Sequence, residues 1–247
     1  MTALIIIAVA GLWAGVQNTL AGGGSFVTLP ALLFAGLTPL SANITSTVAL
    51  FPGQFASGYA GRGMVRGVGS VSFRALVFTS LAGGAAGALL LLITPPTLFA
   101  KMIPWLVLFA TAMFAWGSFG RKPAAQGRQV GAPVLIGLQF LISIYGGYFG
   151  GGIGFLMMAA LSIAGMAARN AGATKNALAA AMNASAVAMF AFSPEVKWLE
   201  ALVLAVSSTA GYLFGVWVLR RINETWLRVG IVALGIALTI GLFWRQM

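Results

Sequence analysis

Apolar runs recur along the whole chain, and polar or charged residues are confined to the gaps between them. Runs of about 17 to 25 residues cover roughly 30 Å of hydrocarbon at 1.5 Å per residue. Set against glycine, proline and charged breakers, the pattern predicts ten helical segments: about 3–21, 23–37, 42–60, 73–93, 99–119, 131–148, 151–166, 171–192, 198–219 and 226–244. The second and seventh are short. About 15 residues give roughly 22 Å of helix, too little for a comfortable crossing. Both follow directly on a glycine triplet. The first segment, TALIIIAVAGLWAGVQNTL, has no basic residues ahead of it and is read as structure rather than as a cleaved signal.

Loop charges orient the segments. Arg62, Arg66 and Arg74 flank one loop, Arg121, Lys122 and Arg128 fill a second, and Arg220, Arg221 and Arg228 flank a third. Excess basic charge marks cytoplasmic loops, so these three belong inside. The weakly charged loops TPPTLFAK and SPEVKWLE then fall outside, with Arg169 and Lys175 near the inner face. On this count both termini lie outside, the first five segments start outside and the second five start inside. The two halves are therefore opposite in orientation.

An internal repeat divides the chain at the same place. GGGSFVTLPALLFAGLTPLSANITST from Gly22 aligns with GGGIGFLMMAALSIAGMAARNAGATKN from Gly150. The triplets are 128 residues apart, and Ala35-Gly36 matches Ala164-Gly165 at 129, so one inserted residue reconciles the spacings. Ala42 then matches Ala171, and Thr45-Ser46 matches Thr174-Lys175. The expected fold is an all-α membrane protein, a polytopic bundle of two inverted five-segment repeats at about 1–120 and 131–247, each with a Gly-interrupted helical hairpin. It forms one transmembrane domain over 1–247. Odd-numbered repeats of opposite orientation are an architecture of secondary transporters, whose substrate site lies at the midplane where interrupted helices meet.

Composition narrows the chemistry. Of 247 residues 60% are hydrophobic and 7% charged, against about 25% charged in soluble domains. The net charge of +11 comes from Lys and Arg scattered singly or in pairs, which is not a nucleic-acid-binding stripe. Without cysteine, histidine or aspartate the chain lacks thiolate and most other metal ligands, and neither cofactor nor metal is expected. The acids are Glu195, Glu200 and Glu224, all in or beside loops. That leaves no general acid–base pair for an intramembrane enzyme and no buried carboxylate as a proton or sodium carrier.

The glycine triplets carry the candidate site. Glycine turns without steric penalty and leaves its N–H uncovered, and the helix that follows begins with unpaired N–H groups and about half a positive charge. Two such helix starts, at Gly22, Gly23, Gly24 and Ser25 and at Gly150, Gly151 and Gly152, would converge on an anion. Gly11, Gly15, Gly83, Gly84 and Gly87 are read instead as close-packing positions. Thr45 and Ser46 would open the next helix as caps or donate to oxyanion oxygens. Lys175, one position into its helix, supplies a fixed cation, with Thr174 before it and Asn176 after it. Asn183 and Gln54 are either interhelical glue or substrate contacts. Gln17 and Asn18 precede the first triplet and are placed to satisfy freed backbone groups, and Tyr148, before the second, is placed to do the same or to line the pore. Trp105, Trp198, Trp226 and Trp244 read as interfacial anchors.

These elements together, GGGSFVTLPALLFAGLTPLSANITST in the first half and GGYFGGGIGFLMMAALSIAGMAARNAGATKN with a later NAS at Asn183 in the second, resemble the sulfite exporter TauE/SafE family. The likeness covers the whole chain in length and repeat organisation and about a quarter of it in motifs. It implies a bacterial inner-membrane permease for sulfite, sulfoacetate or another sulfonate, thiosulfate or related carboxylates. It also implies functional weight on Gly22 to Gly24, Pro30, Thr45, Ser46, Gly150 to Gly152, Thr174, Lys175 and Asn176. The expected partners are a small anionic substrate and membrane lipid, with a homodimer as an open option and no nucleic acid. A passive anion channel uses the same residues without alternating access.

Overall fold

The computed structural model describes residues 1–20, 23–119, 131–219 and 224–244. Its helices are α1 (Thr2–Leu20), α2 (Ser25–Phe34), α3 (Pro39–Ala60), α4 (Phe73–Ile93), α5 (Pro96–Phe119), α6 (Ala132–Tyr148), α7 (Ile153–Ile163), α8 (Ala168–Phe190), α9 (Trp198–Leu219) and α10 (Glu224–Trp244). Ten segments were expected, and each has its helix. The starts of α3 and α8, three residues earlier than expected, bear on the candidate site. Thr38 caps α3, its Oγ1 accepting from the Ser41 N–H at 3.2 Å, and Pro39 takes the first turn, where its missing N–H costs nothing. Thr45 and Ser46 are therefore not caps but lie within the second turn of α3. Lys175 likewise sits two turns into α8 rather than at its start.

The short helices end alike. Leu37 N–H donates to Leu32 C=O and Gly36 N–H to Leu33 C=O, both at 3.1 Å, with Gly36 at φ +93°. Met166 to Leu161 and Gly165 to Ser162 repeat this at 3.0 Å, with Gly165 also at φ +93°. Both are Schellman closures, which need a left-handed residue that glycine supplies at no cost. Phe114 of α5 ties the two short helices together: its ring lies 6.0 Å from Phe26 of α2 and 4.4 Å from Phe155 of α7, edge-on to both.

Helix pairs form two related sets. A Cβ at Gly15 of α1 would lie 2.0 Å from the Ser208 carbonyl oxygen of α9, and one at Gly11 would meet Ser207 and Leu204. A Cβ at Gly87 of α4 would lie 2.1 Å from the Ile144 oxygen of α6, and one at Gly83 would meet Ser143 and Phe140. Each pair is parallel and close enough that only glycine fits, which agrees with the close-packing reading of these positions. Between them α3 and α8 cross antiparallel: Asn176 Nδ2 donates to Ser57 Oγ at 3.3 Å, and further along Asn183 donates to Gln54 Oε1. The Asn183–Gln54 separation of 129 is the repeat spacing itself, so these two side chains are equivalent positions meeting face to face. The α5 and α10 helices run antiparallel, from Trp105 against Phe243 to the Ser118 carbonyl accepting from Arg228 at 3.2 Å.

Polarity is inverted relative to a soluble fold. Gln17, Gln139, Ser143 and Thr174 are fully buried, whereas Phe78, Val206 and Leu213 stand at least 70% exposed on the outside of the bundle. An exterior this apolar fits hydrocarbon as its solvent. By length and composition α4 and α5 are each sufficient to span it. Trp198, Trp226 and Trp244 are exposed near helix ends as expected of anchors, but Trp105 lies in the third turn of α5 because that helix begins at Pro96.

Candidate functional site

Both glycine breaks interrupt the helical path in the left-handed region, Gly23 at φ +82°, Gly150 at +81° and Gly152 at +74°. The first break is braced by the residues before it. Gln17 Nε2 donates to the Gly23 carbonyl at 2.8 Å, and Gly24 N–H donates to Asn18 Oδ1 at 2.7 Å, the satisfaction of freed backbone groups that their placement suggested. Tyr148 has another role: its carbonyl accepts from Asn43 Nδ2 at 3.0 Å, and its hydroxyl reaches Thr94 at 3.3 Å.

The two breaks meet in one cavity of about 60 Å³. Gly23 and Ser25 reach it from the first half, and Gly150, Gly152 and Gly154 from the second. Gln54 and Ser57 of α3 line one wall, with Lys175 and Asn176 of α8 on another. Asn18 of α1 and Tyr212 of α9 complete it. Of the proposed site residues, Gly23, Ser25, Gly150, Gly152, Lys175 and Asn176 thus share one volume. Gly22 lies outside the described residues. Gly24 braces the first turn beside the cavity without lining it, and Gly151, where a Cβ would meet Phe149 and Ala110, does not line it either.

Its electrostatics are one-sided. The Lys175 ammonium lies against the start of α7, where a Cβ on Gly154 would be 3.6 Å from Nζ. Phe155 N–H turns back to the Gly152 carbonyl at 3.1 Å, leaving Ile153 and Gly154, at the positive end of the helix dipole, without backbone acceptors among the described residues. The start of α2 is less available. Gly24 N–H is taken by Asn18, Phe26 N–H by the Gly23 carbonyl at 2.9 Å, and Val27 N–H by the Gly24 carbonyl at 3.0 Å. No ion pair of Lys175 with a carboxylate occurs among the described residues, because Glu195 and Glu200 lie in or beside the α8–α9 loop. A half-buried cation beside open N–H groups attracts an anion and has no internal counter-charge to displace.

Five of the residues singled out lie elsewhere. Thr45 and Thr174 are fully buried and hydrogen-bonded to loops at opposite ends of the α3–α8 pair. Ser46 Oγ is 2.6 Å from Thr28 Oγ1 of α2. Asn183 stands behind Gln54 at the crossing and orients that amide toward the cavity. Pro30 is within α2 and does not line the cavity.

Sequence reasoning missed Tyr212 and Ser57. Tyr212 interacts through its hydroxyl with the side chains of Asn18 and Gln54, and its ring occupies the space that a Cβ on Gly53 would fill, 2.1 Å away. A signal for it existed in Gly53, a glycine inside a helix with no turn to explain it.

A family model described as sulfite exporter TauE/SafE matches residues 7–242. A probable membrane transporter protein ORF9 of a Sinorhizobium species is 33% identical over 224 residues, covering 86% of this chain and 81% of that protein. A probable membrane transporter protein of Haemophilus influenzae is 27% identical and covers 98% of this chain and 95% of its own length. The probable membrane transporter protein YfcA of Escherichia coli K12 is 28% identical over 205 residues, or 82% of this chain and 75% of that protein.

Proposed function

We propose a substrate and a mechanism from one established premise: the chain belongs to the sulfite exporter TauE/SafE family and is an integral membrane transporter. The cargo is a small organic or sulfur-containing anion such as sulfite, sulfoacetate or another sulfonate. It moves by alternating access around the cavity between the two glycine breaks, in a bacterial inner membrane with both termini outside.

The observation that carries this reading is Lys175 of α8 lying against the start of α7, in a cavity with no carboxylate among the described residues that line it. A cation and open helix N–H groups together recognise an oxyanion, one through charge and the other through direction. Asn176, Ser57, Gln54 and Tyr212 offer neutral hydrogen bonds to the rest of the ligand. Support for inverted repeats comes from the exchange of partners: α1 lies on α9 as α6 lies on α4, while α3 with α8 and α5 with α10 pair across the middle. Such a framework has two equivalent packings, which is what rocking of one repeat against the other requires.

The test is uptake of labelled sulfite or sulfoacetate into vesicles containing the purified protein. Losing a charge-assisted hydrogen bond costs about 1.5–3 kcal/mol, so Lys175→Ala is expected to lower kcat/KM roughly 10- to 100-fold, with Lys175→Arg less affected. Unaltered kinetics in the alanine variant would remove Lys175 from the site. Saturable counterflow distinguishes a carrier from a passive channel.

A further inference from the structure

We infer that Thr45 and Thr174, equivalent positions of the two halves, are the latches of two opposed gates rather than substrate ligands. This rests on the alternating-access reading above. At one end, Thr45 Oγ1 accepts from Lys197 N–H at 3.1 Å and points at the Glu195 carbonyl at 3.5 Å, holding the α8–α9 loop to α3. At the other, Thr174 Oγ1 accepts from Arg66 N–H at 3.2 Å and donates to the Arg66 carbonyl at 3.4 Å, holding the α3–α4 loop to α8. Each threonine grips the loop that follows the helix crossing its own. A buried hydroxyl whose single proton is directed at a backbone carbonyl has none to donate to an anion.

The two ends are latched alike but packed differently. At the Thr45 end Ser41 Oγ adds contacts to the Glu195 carbonyl at 2.8 Å and to its Oε2 at 2.5 Å. Below that latch Ala49, Ala186 and Phe190 are buried in one continuous apolar core with Phe26 and Leu29, and Leu50 is buried as well. At the Thr174 end the corresponding volume is the polar cavity. Leu50 stands 129 positions before Ala179, the repeat spacing, yet Leu50 is 2% exposed while Ala179 lines the cavity. Both latches are made, so the structure is latched at each end, with its cavity on the Thr174 side of the α3–α8 crossing. Breaking the Thr174 latch would open that cavity toward the α3–α4 loop, and breaking the Thr45 latch would open the equivalent volume at Ser46, Thr47 and Leu50 toward the α8–α9 loop.

The natural absence of cysteine makes this measurable. Single cysteines are placed at Leu50 and at Ala179 in vesicles of known sidedness, and labelling by a membrane-impermeant maleimide is timed from each face. Removing the hydroxyl with Thr45→Val releases about one hydrogen bond's worth of bias, so labelling at Leu50→Cys from the α8–α9 side is expected to quicken about tenfold. Labelling at Ala179→Cys slows, and Thr45→Ser behaves as the parent. Thr174→Val shifts both rates the other way. If Thr45→Val leaves Leu50→Cys labelling unchanged while substrate still alters the balance of the two sites, the latch is overturned and alternating access stands. If Ala179→Cys is labelled equally from both faces with or without substrate, the carrier reading fails and the latch with it.

Discussion

At the scale of single residues, the site depends on groups that a motif search passes over. Tyr212 brings a phenol into a wall otherwise made of amides, and Gly53 exists to admit its ring. Tyr212→Phe keeps the ring and its packing but removes the hydroxyl contacts to Asn18 and Gln54. Melting temperature should be nearly unchanged, while kcat/KM for the transported anion falls roughly 3- to 10-fold, the worth of about one neutral hydrogen bond. Equal transport by the variant in vesicles would reduce Tyr212 to a packing role. Lys175 was legible without the structure because a lone cation in an apolar helix has few explanations. Thr45 and Thr174 were legible as a matched pair, but not in function. Their partners, the loops at Glu195–Lys197 and Arg66, are about 150 and 108 residues away in sequence, and no local pattern records such a contact.

At the scale of elements, glycine has two separable uses. Gly36 and Gly165 have open space where a Cβ would go, so only their φ of +93° resists substitution. Gly36→Ala and Gly165→Ala should each destabilise by about 1–2 kcal/mol, the cost of a left-handed alanine. Thermal unfolding in detergent is expected to report similar losses for the two, since both close short helices by the same pair of bonds. A loss confined to one would break the equivalence of α2 and α7. The ten segments were readable because membrane helices must be long and apolar and because glycine and charge punctuate them. The starts of α3 and α8 were not. Thr38-Pro39 was passed over as a cap because ANITST offered hydroxyls in a more conspicuous place, while α8 opens at Ala167 with no capping side chain at all.

At the scale of the molecule, everything from the shared cavity to the opposed latches assumes that the α3–α4 and α8–α9 loops lie on opposite faces of the membrane. Their charges differ in the sense this requires: Arg62 and Arg66 make the first basic, the character of a cytoplasmic loop, while Glu195 and Lys197 in the second cancel. The antiparallel crossing of α3 and α8 requires it geometrically, because each loop leaves from the far end of the other's helix. Two exposed positions read the outcome directly. A Cβ at Gly63 would touch nothing within 4 Å, and Phe192 is 90% exposed. In intact cells an impermeant thiol reagent should label Phe192→Cys from outside and reach Gly63→Cys only after lysis. The reverse pattern would invert the orientation but keep the two halves opposed. Labelling of both from one face would end the inverted-repeat reading, since no bundle of two opposed halves can put those loops together.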